Sequence, residues 1–282
     1  MKASPSIRRG FLQCLQTNNP NNRMTHTILV IPEIERWGVP LGWRQGTGDW
    51  VGVSAAIARR DSVQVIQEAG STLWQAALPK QHPFQFGFPE FTAELREQRS
   101  PPKARVWISP IQRRFGHSVE LPKVQWHPRV LWIGLGCKRG TSQAAIAFAI
   151  QQALRSRHLA AGAIAGIATI DHKVNEVGLV EYCRDHNLPL KCFSAEALRA
   201  IAVPNPSTRV NSEIATPSVA EAAAIIAASG DLTSSVPSHL SPLTSHLIAP
   251  KQIFRLIDHP GAVTIAIAQA EQEYTDPVIP MT

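Results

Sequence analysis

Residues 130–142 read Val-Leu-Trp-Ile-Gly-Leu-Gly-Cys-Lys-Arg-Gly-Thr-Ser and bring together the groups needed to hold an anion. Gly134, Gly136 and Gly140 let the backbone turn tightly and approach a ligand closely. Lys138 and Arg139 add two positive charges. Thr141 and Ser142 open a helix whose free N–H groups and positive dipole end point back at the bend. Such a loop binds a carboxylate or a phosphate. It sets the sign of the ligand, not its identity. Cys137 lies in the same bend, where a helix N-terminus and cations would lower a thiol pKa. No histidine is placed by the sequence to serve as its base, so packing is the preferred reading for Cys137.

A second polar run, Asp171-His172-Lys173-Val174-Asn175-Glu176, follows the apolar stretch Ile164–Ile170. If it faces the anion loop, Asp171 and Glu176 are candidate catalytic carboxylates able to orient water or move a proton. Lys173 would then add a third cation. The alternative is a solvated loop with a helix-start carboxylate. A dinucleotide site fits less well. The third glycine comes one position late, and Asp171 stands 31 residues beyond Gly140 rather than the roughly 20 of that fingerprint. Trp50, Trp74, Trp107 and Trp126 could line an apolar groove, but core packing is the safer reading for each.

Two kinds of element must position these groups. Strand Val130–Gly134 enters the bend, and the helix after it buries Ile146, Ala149, Ile150, Ala153 and Leu154 on one face. Ile164–Ile170 is a second strand, apolar throughout as in a parallel sheet covered on both faces. A helix over 176–186 and a strand Leu190–Phe193 follow, and Ser194 caps a short helix. Thr216 and Pro217 are expected to open another helix that ends at Gly230. Strands near 247–250 and 262–268 complete an α/β domain over 128–270 with a mainly parallel sheet flanked by helices. Ligands in such sheets bind at the carboxyl ends of the strands, where both Gly134–Gly140 and Asp171 fall. Residues 24–127 form a smaller and less regular α/β region, with strand candidates Thr27–Ile31, Val63–Gln67 and Arg105–Ser109, a short helix over Val51–Arg60 after the 46–50 turn, and another over Ala93–Gln98. Residues 1–23 read as a disordered tail or a misplaced start, 231–245 as a Ser/Pro-rich insert, and 271–282 as a tail.

Composition narrows the partners. Lysine and arginine outnumber aspartate and glutamate 28 to 21, a net charge of +7, which favours polyanions. Nucleic acid is a poor fit, because the charge is dispersed and no zinc-finger spacing, RNA-binding aromatic signature or basic helix is present. The four cysteines form no CxxC pair, which suits a reduced, cytoplasmic setting. The histidines show no metal-ligand spacing, and His239 and His246 fall in the Ser/Pro-rich insert. No metal site is expected. No apolar run approaches the ~20 residues of a membrane span.

Six motifs occur in order over the second half of the chain. They are the glycine loop (134–142), Thr-Ile-Asp-His-Lys-Val-Asn-Glu-Val-Gly-Leu (169–179), Phe-Ser-Ala-Glu-Ala-Leu (193–198), Val-Pro-Asn-Pro-Ser (203–207), Thr-Pro-Ser-Val-Ala-Glu-Ala-Ala-Ala (216–224) and Val-Thr-Ile-Ala-Ile-Ala (263–268). This succession resembles the C-terminal domain of the cobalamin-biosynthesis proteins called CbiG and CobE, and 28–127 resembles the CbiG central region. The further N-terminal domain of CbiG has no counterpart in residues 1–23. The resemblance implies work on the corrin ring: CbiG-like proteins open the δ-lactone of cobalt-precorrin-5A and release acetaldehyde, whereas CobE-like proteins have a less defined task. It implies no cofactor held by the protein, since cobalt would belong to the substrate. Its implied partners are a corrin precursor with several carboxylates, other enzymes of cobalamin synthesis, and a second copy of the chain. On this reading Gly134, Gly136, Cys137, Lys138, Arg139, Gly140, Thr141, Ser142, Lys173 and Ser194 bind substrate, and Asp171 or Glu176 activates water. A hydrolase and a tetrapyrrole-binding module both remain open, with a nucleotide-binding protein the weaker third.

Overall fold

The computed structural model describes residues 40, 42–88, 101–116, 121–205, 218–230, 247–257, 259 and 261–276. The expectations for 1–23, Thr27–Ile31, Ala93–Gln98, Thr216–Pro217 and 231–245 lie outside these residues. The described residues build two five-stranded sheets.

The first sheet uses β1 (Arg44–Gly48), β2 (Val63–Gln67), β3 (Phe84–Phe86), β4 (Ala104–Ile108) and β5 (Lys123–His127), in the order β1-β5-β4-β2-β3. Helices α1 (Trp50–Ala58) and α2 (Leu73–Ala76) join the early strands. β5, β4, β2 and β3 run parallel, and β1 pairs antiparallel with β5. The alternation along these strands sends Val63, Val65, Val106 and Val124 to one face, where they pack with Val53 and Ile57 of α1. Asp49 caps α1 by accepting from the Gly52 N–H at 2.8 Å. Trp74 and Trp126 are buried in this core, and Trp50 meets Trp126 edge-on at 5.2 Å. Trp107 lies under the Arg113 guanidinium at 4.0 Å. Trp50, Trp74 and Trp126 are therefore packing residues of this core, whereas Trp107 is half-buried outside it. The expected strands Val63–Gln67 and Arg105–Ser109 are present as β2 and, shifted by one residue, β4, but the region is more regular than its sequence suggests, because β1, β3 and β5 are too short to display a period.

The second sheet contains β6 (Leu131–Cys137), β7 (Ile164–Ile170), β8 (Leu190–Phe193), β9 (Leu247–Phe254) and β10 (Val263–Gln269), in the order β8-β7-β6-β10-β9. Its helices are α3 (Gln143–Ser156), α4 (Val177–Asp185), α5 (Ala195–Arg199) and α6 (Val219–Ala228). β6, β7 and β8 are parallel as expected, but β10 runs antiparallel to both β6 and β9. The expectation of a mainly parallel sheet therefore holds on one side only. The connection between β9 and β10 is too short for a crossover, which takes a dozen or more residues, and two strands so joined must form a hairpin.

β6 is covered on both faces. α3 buries Ile146, Ala149, Ile150, Ala153 and Leu154, the predicted stripe, together with Leu179 and Tyr182 of α4. α6 covers the other face with alanines against Trp132, Ala165, Ala168 and Ala266. It begins after Ser218, whose Oγ accepts from the Glu221 N–H. Glu221 is fully buried and accepts from the Asn205 N–H, the Asn205 side-chain amide and the Lys251 N–H. These three donors tie the Val203–Asn205 turn and β9 to α6 and satisfy the buried carboxyl oxygens. Beyond β10, Tyr274 packs on Trp132, and the buried Arg129 donates to the Asp276 carboxylate at 2.9 Å.

The approach of α6 to β6 leaves no room for a side chain at Gly134, where a Cβ would sit 1.8 Å from the Ala220 carbonyl oxygen. A Cβ at Gly136 would instead find Thr264 at an ordinary 3.7 Å. Gly134→Ala is expected to lower stability by about 1–3 kcal/mol through overpacking. Gly136→Ala is expected to leave stability unchanged or raise it by up to about 1 kcal/mol. Denaturant midpoints of the two variants check this.

Candidate functional site

The glycine loop forms where β6 ends at Cys137 and α3 begins. Gly140 adopts φ +74°, a left-handed conformation that favours glycine. The Thr141 hydroxyl donates to the Lys138 carbonyl at 2.7 Å and closes the bend. Ser142 caps α3, its Oγ accepting from the Ala145 N–H at 3.3 Å. Lys138, Arg139 and Gly140 are exposed.

The polar run after β7 reaches this loop through Glu176. Its Oε1 accepts from the Gly140 N–H, and its Oε2 accepts from Lys173 Nζ at 3.0 Å. The Lys173 and Glu176 side chains are only 12 % and 9 % exposed. Gly178 permits this approach, since a Cβ there would lie 2.4 Å from the Thr141 carbonyl oxygen. Burial by itself would raise the Glu176 pKa, but the Gly140 N–H, the Lys173 ammonium and the Arg139 charge together bring it below the ordinary 4.5. The loop thus already holds a carboxylate, and that carboxylate is the protein's own.

Cys137 sits close to Lys173, Thr141 and Glu176. Burial pushes its thiol pKa up against the opposing pull of Lys173 and Thr141, so the thiol stays neutral and packs. Asp171 faces solvent, 59 % exposed, and accepts from the His172 N–H at 2.7 Å within its own turn. Ser194 is exposed and caps α5 through the Ala197 N–H at 3.1 Å. The structure therefore gathers Cys137, Gly140, Thr141, Lys173 and Glu176 into one cluster. Lys138 and Arg139 lie on its outer side, Asp171 is not joined to it by these contacts, and Ser194 serves the next helix.

One neighbour was not anticipated. His259 Nδ1 lies 2.9 Å from Ser142 Oγ, across 117 residues of chain. It arrives because β10 is antiparallel to β6 and Val263 stands opposite Cys137, so the β9–β10 hairpin loop ends beside the glycine bend. Gly261 in that loop faces the Lys138 side chain, with an added Cβ 3.7 Å from Lys138 Cδ. Only the direction of β10 could have revealed His259, and an apolar strand does not announce its direction. Among the described residues no group of three or more His, Cys, Asp or Glu side chains could hold a metal ion, and no helix is long and apolar enough to cross a membrane.

Comparison with known proteins agrees with the order of motifs. Residues 131–268 match the family described as "Cobalamin synthesis G C-terminus", and residues 32–128 match that described as "Cobalamin biosynthesis central region". The "Cobalt-precorrin-5A hydrolase" of Priestia megaterium is 26% identical over 200 residues, covering 70% of this chain and 53% of that relative. The chain thus spans about half the length of the curated relative it matches. Among solved structures, the cobalamin biosynthesis protein chiG from Agrobacterium tumefaciens is 29% identical, covering 51% of this chain and 100% of that one at a TM-score of 0.35. CobE, from the cobalamin (vitamin B12) biosynthetic pathway, is 25% identical, covering 50% and 89% at a TM-score of 0.38.

The depressed Glu176 pKa has a stability consequence with a definite sign. A carboxyl that ionises more readily in the folded than in the unfolded chain stabilises the fold above its unfolded pKa and loses that contribution as pH falls through the folded value. Glu176→Gln is expected to lower stability by about 1–3 kcal/mol at neutral pH. That deficit should be constant at neutral pH and shrink as pH drops below the ordinary glutamate value of 4.5. Unfolding midpoints measured across pH for the wild type and the variant check both statements.

Proposed function

The chain belongs to the CbiG family of cobalamin-biosynthesis proteins, and on that premise we propose that it is a cobalt-precorrin-5A hydrolase-like protein that opens the substrate's δ-lactone and releases acetaldehyde. The observation that carries this reading is the exposed Lys138–Arg139 pair on a glycine bend at a helix N-terminus, braced from behind by the Lys173–Glu176 ion pair. A corrin precursor bears many acetate and propionate arms, and arginine and lysine at such a bend suit carboxylates. Gly140, at φ +74°, lets the bend turn, and Gly134 and Gly136 lie in the strand that leads to it. Lys173 and Glu176 hold its shape and its charge. Opening a lactone needs an activated water or nucleophile and donors for the developing oxyanion. Asp171, exposed at the carboxyl end of β7, is the available carboxylate. The reading needs no cofactor held by the chain, because cobalt enters with the substrate. A relative called cobalt-precorrin-5A hydrolase supports it.

One observation favours a second reading, a CobE-like module that binds a tetrapyrrole intermediate without turnover. Glu176, the carboxylate brought to the loop, is already engaged by Gly140 and Lys173 and so is not a free base.

Purified chain given cobalt-precorrin-5A separates the two. Acetaldehyde release is the expected result, while binding without release selects the second reading. Exposed ion pairs contribute ~0.2–1 kcal/mol each, so Lys138→Ala combined with Arg139→Ala is expected to raise the Kd for the polycarboxylate roughly tenfold at low salt. The effect should be smaller at high salt, where screening is stronger. An unchanged Kd refutes the anion role of the loop.

A further inference from the structure

We propose that Ser142 is the nucleophile of the lactone opening and His259 its general base, an inference that rests on the hydrolase reading and puts a serine nucleophile in place of a water activated by Asp171. Ser142 Oγ and His259 Nδ1 are 2.9 Å apart, within the reach that proton transfer between nucleophile and base requires. Ser142 follows a strand and a tight bend and sits at the start of α3. The hydroxyl is therefore presented at the carboxyl end of the sheet, where ligands of such folds bind. Its Oγ also accepts from the Ala145 N–H at 3.3 Å, a contact that steadies negative charge on the oxygen as the proton leaves. The first-turn N–H groups of a helix lack partners within the helix and supply donors for an oxyanion formed next to Ser142. Lys138 and Arg139, four and three residues before it, are exposed to receive the substrate's carboxylate arms.

The lactone opening closes without any further reagent except water, and the alcohol it frees then yields acetaldehyde as its carbon–carbon bond to the macrocycle breaks, the macrocycle carbon keeping the electron pair and taking up the proton that the hydroxyl gives up. The Ser142 hydroxyl proton passes to His259 Nδ1 as Oγ adds to the lactone carbonyl carbon. The ring C–O bond then breaks, and the departing oxygen takes the proton from the His259 imidazolium. This leaves an acyl ester on Ser142. A water gives its proton to His259 and cleaves that ester, returning the serine and freeing a carboxylate on the substrate.

A capping serine with no chemical role would be silent in one variant. Asparagine caps helices about as well as serine, so Ser142→Asn keeps the helix start and removes the nucleophile. The full chain is treated with p-nitrophenyl acetate, and the Ser142 peptide is weighed by mass spectrometry. Acetaldehyde release from cobalt-precorrin-5A is measured in parallel, and the unfolding midpoint of each variant is recorded. The expected outcome is an acetyl group on wild-type Ser142, its loss in Ser142→Asn at an unchanged midpoint, and slower acetylation in His259→Gln. Acetaldehyde release should fall by about 100-fold or more in both variants. If both variants keep wild-type release, the Ser142–His259 assignment is overturned while the hydrolase reading stands. If the wild type releases no acetaldehyde, the hydrolase reading falls. The ester then judges the pair alone: acetylation of Ser142 that depends on His259 supports it, and its absence overturns it.

Discussion

The antiparallel ladder between β6 and β10 is the constraint from which the site follows. It runs in continuous register from Val263 opposite Cys137 to Gln269 opposite Leu131. β6 is the middle strand of its sheet, with β7 parallel on one side and β10 antiparallel on the other. Reversing β10 would send the loop before it to the far end of the sheet, away from the glycine bend. As built, β10 begins where β6 ends, and the hairpin loop carries His259 and Gly261 to Ser142 and Lys138. The same strand, β6, takes α6 at such close range that Gly134 can carry no side chain. Backbone pairing and backbone contact, rather than large side chains, set the frame around the loop.

Within that frame the electrostatics are partly answered by the protein itself. A bend with an inward-facing N–H and a buried ammonium behind it would be left with unsatisfied polar groups in the absence of a ligand. Glu176 meets both needs at once, accepting from Gly140 and from Lys173. What remains for an incoming anion are the outward charges of Lys138 and Arg139. The interior of the cluster therefore maintains the bend, and its rim carries the exposed cations. Cys137, kept neutral mainly by burial, belongs to the interior.

Legibility in the sequence tracked the length and locality of each signal. The apolar stripe of α3 spans a helix of 14 residues, and the continuous run of β7 is buried at every position, so both were readable. The first sheet was readable only in part: Val63–Gln67 and Arg105–Ser109 were expected as strands and form β2 and, shifted by one residue, β4, whereas the short β1, β3 and β5 show no clear period. Asp171 and Glu176 are equivalent in the sequence, two carboxylates of one polar run. Only the packing of Gly178 against Thr141 explains why Glu176 turns to the loop, while Asp171 closes on its own turn. β9 and β10 were expected as strands, yet no residue in them states which way they run.

By itself, the sequence determined features that depend on a few neighbouring residues: the glycine bend, its cations, and the serine caps at Ser142 and Ser194. These are local hydrogen-bond geometries, set within one turn of chain. Tertiary structure alone decided the partners across distance. Gly140 meets Glu176 from 36 residues away, and Ser142 meets His259 from 117. Those meetings depend on strand order and direction, which are settled by how the whole sheet buries its apolar faces and pairs its backbone, and no local pattern encodes that choice.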